Sequence, residues 1–124
     1  MVRKKIINPH RIRSIKGGFA FIPHRFVTEG FLGSLSAPEL LLYLFLVAVS
    51  DRHGLSFYGS GSICSLLHMT SENYRKARQN LIEKDLIDFD GAIFQVLELP
   101  SSPGGQASSD PGIRELCKNL FAEV

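Results

Sequence analysis

Ten consecutive apolar residues, Leu40 to Val49, limit how this chain folds more than any other stretch. A membrane-spanning helix needs about 20 such residues, so the run is read as a buried helix. Its start is marked by Ser36-Ala37-Pro38-Glu39. Ser36 accepts from the Glu39 amide, Glu39 reaches back to the Ser36 amide, and Pro38 is tolerated in a first turn. The spacing predicts a helix to about Ser50. A helix apolar on all sides must be covered on most of them. Either it is the central helix of the domain or one face pairs with a second copy.

The rest of the chain must supply that cover. It is 124 residues long, 44% hydrophobic and 21% charged, enough for one domain with one core. No secretory leader pattern follows the basic N-terminus. Cys64 and Cys117 lie far apart, too few for a disulfide framework. These features read as a reduced, cytoplasmic protein without a membrane segment.

The formal net charge of +2 hides an asymmetry. Residues 1–28 carry Arg3, Lys4, Lys5, Arg11, Arg13, Lys16 and Arg25 and no acid. Residues 71–84 carry four basic and two acidic side chains, whereas residues 85–124 carry two basic and seven acidic. Positive charge gathered in an arm and one short segment suits a polyanion, nucleic acid before an anionic surface.

Along the chain, residues 1–17 read as a flexible basic arm ended by Gly17-Gly18. Phe19 to Pro23 reads as a short strand, and His24 to Leu32 as a short helix weakened by Gly30. After the apolar helix, Leu55-Ser56-Phe57-Tyr58 alternates like a brief strand. Gly59-Ser60-Gly61-Ser62 reads as a loop ending in a helix cap, followed by a helix from Ile63 to about His68. Thr70 caps the next helix, 71–84, whose apolar members Tyr74, Ala77 and Leu81 recur at helical spacing. The period then changes to two on either side of Asp90-Gly91, a two-residue hairpin signal with both turn positions at positive φ. Residues 100–112 have linker composition. Ile113, Leu116, Cys117, Leu120 and Phe121 make 113–124 an amphipathic helix, able to dock on the domain or in a protein partner's groove.

The expected fold is therefore α+β and mostly α. The order helix–strand–helix–helix–β-hairpin over 18–99 is that of a winged helix-turn-helix, whose third helix enters the DNA major groove. Placing side chains around helix 71–84 puts Leu81 at the centre of one side, with Tyr74 and Ala77 beside it. Glu72, Arg75, Lys76, Gln79 and Glu83 form the opposite stripe, with Asn73 and Asn80 at one edge and Arg78 at the other. Arg, Asn and Gln make bidentate contacts with base edges, and Lys and Arg neutralise phosphate. Ser71, Glu72, Asn73, Arg75, Lys76, Arg78, Gln79 and Asn80 are thus candidate DNA contacts, with Arg3, Lys4, Lys5, Arg11, Arg13 and Lys16 on the arm.

The segment Ile63-Cys64-Ser65-Leu66-Leu67-His68-Met69-Thr70-Ser71-Glu72-Asn73-Tyr74-Arg75-Lys76-Ala77, with Leu81 and Glu83-Lys84-Asp85-Leu86-Ile87, resembles the helix-turn-helix core of bacterial winged-helix proteins. Phe21-Ile22-Pro23, Leu35-Ser36, Leu41-Leu42-Tyr43 and Asp51-Arg52 are similar to the N-terminal domain of RepA-type plasmid replication initiators. Together these cover roughly residues 19–99. The resemblance implies double-stranded DNA binding by helix 71–84, wing contacts to the backbone, and a role in replication or regulation in mobile elements. Three positions depart from it. His68 and Asp85 stand where the family has glycine, and Arg78 stands where it has a buried leucine. The wing, 88–92, carries Asp88 and Asp90 and no base, a poor phosphate contact.

Other sites read as structural. Cys64 and His68, four apart on one helix, make two ligands and no zinc site. Tyr74 falls on the buried side of its helix, without the partners a strand-transfer nucleophile needs. Asp51-Arg52-His53 are consecutive turn residues that do not converge on a substrate. Gly59 to Ser62 lacks the lysine of a phosphate-binding loop. The expectation is a DNA-binding protein that is not an enzyme, takes no cofactor or metal, and admits a homodimer. The competing expectation is a winged-helix module that binds protein instead.

Overall fold

A computed structural model describes residues 4–103. Arg3 of the arm, most of the linker and all of segment 113–124 lie outside the described residues. The elements run α1 (Arg25–Thr28), α2 (Ala37–Val49), β1 (Leu55–Ser56), α3 (Ser60–Leu67), α4 (Ser71–Glu83), β2 (Ile87–Phe89) and β3 (Phe94–Val96). This is an α+β fold, mostly helical, with a small antiparallel sheet in the order β1-β3-β2. Such a sheet is compatible with a winged helix.

The start of α2 follows its sequence signal. The Glu39 amide donates to Ser36 Oγ at 3.4 Å, and the Ser36 amide donates to Glu39 Oε1 at 3.3 Å. Leu42, Tyr43, Leu46 and Val47 face the core, joined by Ile63 from α3, Tyr74, Ala77 and Leu81 from α4, and Ile87 and Phe94 from the sheet. The ring of Phe26 from α1 stacks on Tyr43 at 5.0 Å between centroids. The cover on α2 is incomplete. Leu41 and Leu44 are 47% and 50% exposed and Ala48 is exposed with them, a stripe at i, i+3 and i+7.

Four local expectations change. Phe19 to Pro23 is no strand; it pairs with none of β1–β3, and Phe19 and Phe21 stay exposed. The helix expected over 24–32 is cut to the four residues of α1, since Gly30 at φ +88° ends it, and a 3-10 turn covers Leu32–Ser34. Helix α3 begins at Ser60 with Gly59 as its cap, so Ser62 lies inside the helix and caps nothing. The hairpin loop is four residues long, not two, because Phe89 pairs with Phe94. Only Gly91 has positive φ there; Asp90 closes the loop by accepting from the Ala92 and Ile93 amides at 2.9 and 2.7 Å.

Two helix ends turn on residues other than glycine. His68 (φ 55°) and Asp85 (φ 63°) both take the left-handed conformation. Each turns the chain sharply at the end of a helix, the role glycine usually fills.

Candidate nucleic-acid interface

Helix α4 is held by both ends and one face. At its start the Asn73 amide donates to Thr70 Oγ1 at 3.1 Å. At its end the Lys84 ammonium donates to Glu39 Oε1 at 2.6 Å and to the Ser34 carbonyl at 2.7 Å. Tyr74, Ala77 and Leu81 are buried, as their spacing predicts. The other side is therefore presented to solvent by a rigid scaffold.

That side carries Ser71, Glu72, Asn73, Arg75, Lys76 and Gln79, all exposed. Lys76 pairs with Glu72 at 3.2 Å and Gln79 donates to Glu83 at 3.3 Å, both across one helical turn. Both pairs are exposed contacts, worth little in water and easily exchanged for a ligand. Arg75 has no hydrogen-bond or ion-pair partner among the described residues.

Arg78 sits at the edge of this face, half-buried. Its guanidinium lies 5.3 Å from the Tyr74 ring centre and 4.8 Å from that of Phe89. It bridges α4 to the hairpin by cation–π contact. The same residue borders a cleft of about 340 Å³ between the starts of α3 and α4, with Ser60, Cys64, Ser71, Tyr74 and Arg75 around it. Ser60 lines this cleft, a placement that the sequence pattern hides because Gly59 to Ser62 reads as a loop. The missed signal is that Gly59 itself can cap a helix.

Asn80 is not on the exposed face. Its side-chain amide donates to Glu39 Oε2 at 3.0 Å, and the residue is half-buried against α2. It positions α4 and does not reach outward. Lys84, counted among the basic residues of the segment, is likewise turned inward, with its side chain 18% exposed. The outward positive charge of α4 therefore comes from Arg75, Lys76 and Arg78.

On the arm, Lys4, Lys5, Arg11, Arg13 and Lys16 are exposed and form no ion pair among the described residues. Asn8 caps a single 3-10 turn over Pro9–Arg11 by accepting from the His10 amide at 3.1 Å. The hairpin tip stays negative. The Ile93 and Ala92 amides hold the Asp90 carboxyl below the usual carboxylate range, and Asp88 is exposed beside it. No helix among the described residues is long and apolar enough to cross a membrane. Comparison with family models, curated proteins and solved structures finds no match for the chain.

Proposed function

We propose that residues 18–99 form a winged helix-turn-helix domain that binds double-stranded DNA, with α4 in the major groove. One observation carries this reading: α4 buries Tyr74, Ala77 and Leu81 while a fixed outward face offers Asn73, Arg75, Lys76 and Gln79. Those side chains read base edges and neutralise phosphate. The exposed cations of the arm add sequence-independent attraction. Replication initiation or transcription control, in a homodimer on a two-fold site, is the role such a domain would serve.

The test is fluorescence anisotropy with mixed-sequence duplex DNA at two salt concentrations. The proteins compared are the full chain and a variant with Lys4, Lys5, Arg11, Arg13 and Lys16 changed to Gln. Affinity should fall with salt, with a log–log slope of about −0.9 per phosphate contact. Salt-sensitive binding that survives neutralisation of the arm supports α4 as the interface. Binding that vanishes with the arm, or never occurs, favours a protein-docking module. The acidic hairpin tip, Asp88 and Asp90, favours that second reading.

A further inference from the structure

A second cavity, larger than the cleft beside Arg78, lies away from α4. It is a groove of about 1090 Å³ between segment 17–23, the C-terminal half of α2 and the end of β3. Ala20, Tyr43, Val47, Ala48, Val96 and Leu99 give it apolar walls, and Arg25, Asp51, Arg52 and Glu98 stand among its polar residues. An apolar floor with a charged rim fits one face of an amphipathic helix.

We propose that the occupant is the chain's own segment 113–121. The first reason is where the chain leaves the fold. Arg25 donates to the carbonyls of Leu99 (3.3 Å) and Pro100 (2.7 Å), so the exit is pinned at the groove's own wall. The second is reach. Residues 104–112 can extend over about 30 Å, against a length of about 14 Å for nine helical residues. The third is pattern. Ile113, Leu116, Cys117, Leu120 and Phe121 fall on one stripe, with Arg114, Glu115 and Lys118 off it. So short a helix is marginal alone in water and needs a surface to form on.

The tether also selects between this segment and the same segment of another copy. A tether of that length sets an effective concentration of about millimolar, which outcompetes a second copy present at micromolar level. This docking is independent of DNA binding.

The experiment is amide NMR on three full-length proteins: the wild type, Leu116→Asp/Leu120→Asp, and Ala48→Glu. The first variant changes only the segment. The second places a charge on an exposed groove position and leaves the core intact. In the wild type, residues 113–121 should show helical carbon shifts that do not change with protein concentration. Both variants should return them to random-coil values. The tail variant should also move the Val47, Ala48, Val96 and Leu99 amide peaks. Random-coil shifts for 113–121 in the wild type would overturn the proposal, as would groove peaks indifferent to the tail variant. Shifts that grow with protein concentration would assign the groove to a second copy and overturn it too.

Discussion

The Lys84 ammonium lies 2.6 Å from a Glu39 carboxylate oxygen, 45 residues away in sequence. With Asn80 on the second oxygen, this contact fastens the end of α4 to the start of α2. Burial raises the Glu39 pKa, but hydrogen bonds from Lys84, Asn80 and Ser36 outweigh it and hold the carboxyl below its usual value. A carboxyl depressed by folding stabilises the native state above its unfolded pKa of about 4.3. That contribution is lost as pH falls through the folded value. Glu39→Gln should therefore flatten the acid side of the stability curve, measured by urea unfolding between pH 7 and pH 3. Some slope should persist, because folding also depresses Glu29, Asp51 and Asp90.

Removing only the cation should be worse than removing both charges. Lys84→Met leaves a buried carboxylate without its counter-ion, a loss of about 3 kcal/mol. The double variant Glu39→Gln/Lys84→Met should recover a large part of it. A double-variant loss at pH 7 equal to the sum of the Glu39→Gln and Lys84→Met losses would show that the pair is not coupled.

On DNA, Arg75 and Lys76 should behave differently. Arg75→Ala should relax sequence preference, with a loss of about 1–3 kcal/mol at one position of the preferred site. Lys76→Ala should weaken all sequences alike and reduce the salt slope by about 0.9. Competition binding against a library of duplexes reads both effects. Unchanged binding in both variants would remove α4 from the interface.

Arg78 should matter for the hairpin. Its guanidinium lies within cation–π range of Tyr74 and Phe89, contacts worth about 1 kcal/mol each at partly exposed sites. Arg78→Ala should lower global stability by about 2 kcal/mol and speed amide exchange in β2 and β3. Arg78→Leu should preserve packing against Tyr74 and Phe89 while removing one cation from the edge of the exposed α4 face.

Two glycines should respond in opposite directions. Gly54 has φ +82°, and a Cβ there would run into the Val96 carbonyl. Its own carbonyl accepts from the Val96 amide at 2.8 Å, so neither strand end can retreat. Gly54→Ala should cost about 2–3 kcal/mol. Gly61 lies inside α3 with open space where a side chain would go, and Gly61→Ala should gain about 0.5–1 kcal/mol. Thermal unfolding of both variants checks the contrast.

Local chemistry explains which elements were legible in the sequence. The Ser36/Glu39 box and the Thr70 cap act over three residues, so the pattern alone locates both helix starts. The buried side of α4 is equally visible, because Tyr74, Ala77 and Leu81 share one helical face. What the sequence hides depends on distant partners. Asn80 reads as an outward-facing amide until Glu39, 41 residues away, is placed beside it. Lys84 reads as part of a basic patch for the same reason. Phe19 to Pro23 has strand composition, yet it joins no sheet ladder, and the Pro23 carbonyl accepts from the Phe26 amide at 3.0 Å in the turn that starts α1. The hairpin turn lengthens because the Asp90 carboxylate satisfies two amides that a two-residue turn would not offer.

Arg25 has a consequence beyond its own contacts. Its guanidinium binds Glu29 at 2.9 Å and reaches across to the Leu99 and Pro100 carbonyls. The first helix and the last strand's outlet are thereby fastened at a single corner, and the backbone between them traces a nearly closed ring. Such a ring can be reopened elsewhere. Joining the two sides of that corner with a short peptide and cutting the hairpin at Gly91 would keep the core's inventory intact, and the whole unit could be spliced into a surface loop of another protein as a cassette.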